Sequence, residues 1–211
     1  MEDQNKLTAE RSLEIIKESI EQSRRDITKG SWKSMLVWGV LVAVIALIVG
    51  HLWEHTSLGS GANGLWGILG LISLGEARYK SKKPRRPITF VSKTITQVWT
   101  CFGVMAGSLG VICGVIAGFG WKISLLHAPV NEPMTVILPI TAIIILFMGL
   151  AGMITGSILK SKAIAVCCFI AGAFGSLLAL IFHGPMEMVV LAGVCVVGLV
   201  IPALIIRNEE K

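Results

Sequence analysis

Residues 78–93, RYKSKKPRRPITFVSK, carry seven cations (Arg78, Lys80, Lys82, Lys83, Arg85, Arg86 and Lys93) and no acid. Long apolar runs lie on both sides. A basic loop between two membrane-length segments stays on the cytoplasmic side of a bilayer. Fixing that loop sets the direction of every other span. The chain is 54% hydrophobic and 15% charged, with a mean hydropathy of +0.75, which is membrane-like and not soluble-like. The net charge of +6 does not point to nucleic acid, because the charges flank apolar runs where orientation and anionic lipid account for them. Direct nucleic-acid binding is not expected.

The spacing of the apolar runs predicts an all-α membrane protein. Six transmembrane helices form three hairpins, preceded by a cytoplasmic amphipathic helix over residues 1–30. The six-helix bundle covers residues 31–206, with spans at about 32–53, 61–77, 95–121, 134–158, 163–182 and 188–206, and a cytoplasmic tail at 207–211. Trp32 and Trp53 bracket span 1 as an aromatic belt would. Span 2 is short and rich in glycine. The first 30 residues are polar, so span 1 reads as an uncleaved anchor and not as a signal peptide. Of 19 Lys and Arg, seven precede span 1, seven lie at 78–93, two between spans 4 and 5, and two in the tail. Lys122 alone falls outside, so the count predicts both termini in the cytoplasm.

Before span 1, Thr8 is an expected N-cap and Gly30 an expected helix end. Between them Leu13, Ile16, Ile20 and Ile27 share one helical face, with Glu14, Lys17, Glu18, Glu21, Arg24, Arg25 and Asp26 on the others. Two readings of this stripe stay open: a helix lying on the membrane or bundle, and a docking or self-association helix for a cytoplasmic regulator or a second copy. The N-terminal region to Lys33 has seven bases and seven acids and is neutral. The concentrated charge of Lys80, Lys82, Lys83, Arg85 and Arg86 is therefore the expected anionic-lipid contact. The stripe is the expected protein contact.

After the basic loop, Ile88, Val91, Ile95, Val98 and Phe102 keep helical spacing, which predicts an interfacial helix that then enters the membrane. Gly103, Gly107, Gly110, Gly114 and Gly118 follow mostly four apart. Small residues at that spacing let backbones approach closely in lipid, either within the bundle or across a homodimer. Pro202 is an expected kink near the inner end of span 6.

His51, His55, His127 and His183, with Glu54, Glu132 and Glu187, collect at the outer ends of the spans. They could form an outer-face metal or proton site, or simply mark where helices leave the membrane. His51-Leu52-Trp53-Glu54-His55 matches H-x-x-E-H in form. It straddles the end of a span, without the third ligand and cleft that a zinc peptidase needs. The five cysteines sit inside apolar runs as packing residues and imply neither disulfides nor zinc. No phosphate-binding loop, kinase set or nucleophile elbow is present, and no ionisable residue lies near the middle of a span. The expectation is a non-enzymatic integral membrane protein without a cofactor, a membrane-embedded sensor or adaptor that binds a cytoplasmic partner through its N-terminal helix; a small permease or transporter subunit is the alternative.

Leu7-Thr8, Ser12-Leu13-Glu14-Ile15-Ile16, Ile20, Gly30 and Trp38-Gly39, followed by the basic loop leading to Val98-Trp99 and Phe102-Gly103, carry a resemblance. Over residues 7–105 the chain resembles a family of small multi-span bacterial inner-membrane proteins with no assigned function. The resemblance implies a bacterial inner-membrane location and a gene neighbourhood that holds a small winged-helix regulator. It supplies no catalytic residues.

Overall fold

The computed structural model describes residues 2–81, 90–118 and 139–209. They form α1 (Glu2–His55), a 3-10 segment (Gly59–Trp66), α2 (Gly67–Ser81), α3 (Phe90–Gly118), α4 (Ile140–Leu159), α5 (Lys162–Ile181), α6 (Pro185–Cys195), a π turn (Val196–Val200) and α7 (Ile201–Glu209). No strand occurs among the described residues. Five stretches are long and apolar enough to cross a membrane: Trp32–His55, Phe90–Val115, Ile140–Leu159, Lys162–Ile181 and Pro185–Asn208.

Two buried clusters mark the ends of the bundle. At one end Val91, Leu159, Ile164, Cys168 and Ile206 pack with Ile27, Trp32, Met35 and Ile95. Lys33, Lys93, Lys160, Lys162 and Arg207 adjoin these residues in sequence, so this is the basic end. At the other, Val49, Ala62 and Met188 pack with Leu52, Trp53 and Leu65, beside His51 and His55; this is the histidine end. Helices α1 and α5 therefore lead away from the basic end, and α4 and α6–α7 return to it.

The tightest seam joins α4 to α5. A Cβ on Gly149 would sit 2.5 Å from Gly172 Cα, one on Gly152 2.3 Å from Cys168 Sγ, and one on Gly156 2.6 Å from Ala165 N. The three glycines lie three and four residues apart, so they form one stripe, and the facing helix answers with small residues. The α4–α5 turn is equally compact. Lys160 adopts a left-handed conformation (φ 55°), and Ser161 N–H reaches back to the Gly156 carbonyl at 2.9 Å, closing α4 in a Schellman motif. The Ser161 hydroxyl then caps α5 by accepting from Ile164 N–H at 3.5 Å.

The last crossing is interrupted. Pro202 has no N–H to give the Gly198 carbonyl. Ile201 N–H instead reaches the Val196 carbonyl, five residues back, which opens the π turn. The freed Gly198 carbonyl accepts from the Cys168 thiol of α5 at 3.2 Å. The expected kink at Pro202 thus takes the form of a π turn whose loose carbonyl is satisfied by a neighbouring helix.

Several expectations are corrected. Helix α1 does not begin at Thr8 or stop at Gly30; it runs unbroken from Glu2 to His55. One glycine costs a helix about 1 kcal/mol, too little to break one that is anchored in the bundle. Residues 61–77 are not one helix. Gly59–Trp66 winds as a 3-10 helix, and the α-helix begins only at Gly67. Asn63 clips that segment, donating to the Ser60 carbonyl and accepting from Trp66 Nε1, both at 3.1 Å. Helix α3 is continuous from Phe90 to Gly118, with Val91 buried against the bundle; Ile88 lies outside the described residues. The stripe on α3 does not pack within the bundle, because Cβ atoms at Gly103, Gly107, Gly110 and Gly114 would meet nothing within 4 Å. Instead α3 is held to α4 by Trp99, whose Nε1 donates to Thr155 Oγ1 at 3.1 Å. The expected end of span 3 at Trp121 and start of span 4 at Met134 lie outside the described residues.

Gly149→Val is expected to push α4 from α5 and lower stability by about 1–3 kcal/mol. Gly107→Ala is expected to be neutral or slightly stabilising, since Ala is the better helix former by about 1 kcal/mol. Thermal unfolding of the two variants in detergent checks the contrast; equal losses would contradict the packing described.

Candidate functional site

The N-terminal half of α1 projects beyond the basic end. At about 1.5 Å per residue, Leu13 stands roughly 28 Å from Trp32 along the axis. The expected stripe divides along this length. Ile27 packs into the basic-end cluster and is not available to a partner. Ile20, Ile16 and Leu13 become steadily more exposed, at 37%, 54% and 67%. With Lys17, Glu21 and Lys160 these three line an open groove of about 460 Å³. Ile15, also 57% exposed, lies outside it.

Lys160 makes this a built groove. Its left-handed position at the α4–α5 turn carries Nζ across to Glu21 Oε1 at 3.1 Å. Arg25 approaches the other carboxylate oxygen at 3.9 Å, one turn along α1. The hydrogen bond from Lys160, and then its charge, hold the Glu21 carboxyl below its ordinary value of 4.5. Sequence reasoning missed Lys160 because the two partners are 139 residues apart. A local signal was present only in the turn: a lysine in a left-handed position is held out from both helices.

The remaining candidates are scattered. Lys80 belongs to α2, while Lys82, Lys83, Arg85 and Arg86 lie outside the described residues. His51 and His55 are brought together, one turn apart, with ring centroids 4.5 Å apart and rings nearly parallel. Glu54 Oε2 stands 4.0 Å from His55 Nδ1. His183 lies at the α5–α6 turn, its Nδ1 3.2 Å from the Ile181 carbonyl. Glu187 is spent on architecture: its carboxylate accepts from Gly184 N–H at 3.3 Å and caps α6, where Gly184 takes a positive φ of 76°. His127 and Glu132 lie outside the described residues. Among the described residues no three of His, Cys, Asp and Glu stand close enough to hold a metal ion. Comparison with protein-family models, curated proteins and solved structures finds no match for this chain.

The Glu21–Lys160 contact sets a pH dependence. A carboxyl with a lowered folded pKa contributes fully above its ordinary 4.5, and the contribution is lost as pH falls through the lowered value. Spin labels at positions 18 and 162 should give a narrow distance distribution at neutral pH. It should broaden in acid well below pH 4.5, in high salt, and in Lys160→Gln at any pH. An unchanged distribution in Lys160→Gln would remove Lys160 as the tether.

Proposed function

We propose that this chain is a non-enzymatic, six-pass membrane protein that holds a cytoplasmic protein partner on the N-terminal half of α1 and couples it to the bundle. The observation that carries this reading is the continuity of α1. One helix joins the exposed Leu13–Ile20 face to Ala46 and Val49, which are fully buried in the bundle. A partner seated at one end therefore loads the core directly, with no hinge between. The i, i+3, i+7 anchors Leu13, Ile16 and Ile20, edged by Lys17 and Glu21, suit an apolar groove on a protein with a charged rim.

Six passes are supported by the path of the chain. Ala62 packs at the histidine end and Val91 at the basic end, so the chain has come back to the basic end by Val91. The 3-10 segment has 8 residues and α2 has 15. At about 2.0 and 1.5 Å per residue they reach roughly 38 Å, more than a hydrocarbon core of about 30 Å. An even number of passes places both termini on one side, and the positive-inside bias makes that side the cytoplasm; the bacterial inner membrane is what the resemblance over residues 7–105 implies. The loop around Lys80, Lys82, Lys83, Arg85 and Arg86 then faces anionic lipid.

A second reading, a small permease, draws on the π turn. Interrupted helices carry the binding sites of many carriers, through backbone carbonyls released inside the bundle, and Gly198 is such a carbonyl.

A photo-crosslinker at Ile16 in cells should capture a protein partner. Leu13→Glu with Ile16→Glu should abolish capture by a crosslinker moved to Ile20, while insertion is unaffected. Solute flux in reconstituted vesicles that survives removal of residues 2–29, together with no captured partner, would favour the permease instead.

A further inference from the structure

At the basic end two cations converge on one indole. Arg207 Cζ, from α7, stands 5.4 Å from the Trp32 ring centroid, and Lys33 Nζ 5.5 Å from the same ring. The two residues are 174 positions apart in sequence (207 − 33), so the fold and not the local chain assembles them. Ile206 is buried in the same cluster that Trp32 packs against, which fixes Arg207 at the ring. Among the described residues neither Lys33 nor Arg207 forms an ion pair. Glu21, a carboxylate at this end, is already held by Lys160 and Arg25.

More positive charge surrounds the pair. Ile164 and Leu159 belong to the cluster and carry the α4–α5 turn, with Lys162 exposed at the start of α5. The first turn of a helix adds its own positive end. Helices α1, α5 and α7 thus bring cations to the rim of one apolar cluster, where Trp32 marks the boundary of the apolar span Trp32–His55.

We propose that Trp32, Lys33 and Arg207 form a binding site for the phosphate headgroup of an anionic phospholipid, with Lys162 on its rim. Like charges gathered around a ring leave a strong field that an anion relieves. A phosphodiester fits the forked donors of Arg207, and the point charge of Lys33 adds to it. The height of the site selects the source: an indole at the end of a membrane span lies at headgroup level, so acyl chains descend beside α1 and α7 where Val37, Ile201 and Leu204 are exposed. This site is separate from the loop at 78–93. It rests on these helices crossing a bilayer and not on what α1 docks.

The test is native mass spectrometry of the full chain in mild detergent, with phosphatidylglycerol and phosphatidylcholine of matched acyl chains. Phosphatidylglycerol is expected to be retained preferentially. Lys33→Gln and Arg207→Gln should each weaken retention about fivefold, as expected for one interfacial charge. Lys17→Gln, which removes a charge far out on α1, should leave it unchanged. Trp32→Leu keeps both cations and should cost about two- to fivefold through the lost cation–ring contact. Arg207→Lys, which keeps the charge and loses the fork, should fall between wild type and Arg207→Gln, and it serves if a neutralised variant does not insert. Equal retention of the two lipids, or Lys33→Gln and Arg207→Gln behaving as Lys17→Gln does, would overturn the site. Displacement of the lipid by millimolar inorganic phosphate would assign the site to free phosphate and overturn the lipid assignment.

Discussion

The close approach of α4 and α5 is the contact on which the rest of the bundle depends. In lipid there is no hydrophobic gain in bringing two apolar helices together, so association rests on packing and hydrogen bonds. Gly149 against Gly172, with Gly152 on Cys168 and Gly156 on Ala165, supplies that packing along the whole length of the seam. The same approach brings Cys168 within reach of the Gly198 carbonyl and sets Gly175 against Val194 of α6. It also fixes the left-handed turn that aims Lys160 at Glu21. One stripe of small residues therefore positions the interrupted last crossing and the tether of the N-terminal helix alike.

The second organising fact is that α1 never breaks. A helix as long as Glu2–His55 is cooperative, and its anchored portion carries the weaker part through Gly30. Its lower face serves successive neighbours: Gly50 meets Met188 and Pro185 at the histidine end, Gly39 meets Leu199 and Val200 beside the π turn, and Ile27 meets the basic-end cluster. Toward the N-terminus Ile20, Ile16 and Leu13 emerge from the bundle, and the groove that they line with Lys160 is open to solvent.

How much of this was legible in the sequence varied with the range of the interaction. The run at 162–181 is long and uniform and the Lys160–Lys162 turn is explicit, so the limits on either side of that turn were readable within a few residues; the expected start of the preceding span at Met134 lies outside the described residues. Hydropathy alone failed at 61–77, because it does not separate the 3-10 segment Gly59–Trp66 from the α-helix that begins at Gly67. Glycine stripes on α3 and α4 look alike in sequence, yet only that on α4 is packed; the difference is set by which small residues face it, Ala165, Cys168 and Gly172, and no local pattern shows that. The groove was half legible. Leu13, Ile16 and Ile20 announced themselves by period, while Ile27 shares the period and is consumed by the core, and Lys160 enters from the far end of the chain.

The two ends of the bundle differ in how they use polar groups, and that difference bears on which end can exchange ligands. At the histidine end the groups largely satisfy one another or the backbone: Glu187 caps α6, Asn63 clips its own segment, and His51 stacks on His55. At the basic end the fold leaves cations in excess. Glu21 answers Lys160 and Arg25, but Lys33 and Arg207 meet at an aromatic ring and no acid among the described residues answers them. Polar groups spent on neighbours hold a shape; charges left unmatched by the fold hold a field, and a field requires a counterion from outside. The projecting helix and the unmatched cations stand at the same end, so a partner seated on α1 as proposed would approach over a rim of positive charge. A partner with an acidic edge beside its apolar groove would be favoured there, and one with a basic edge excluded, before any side chain of the groove is touched.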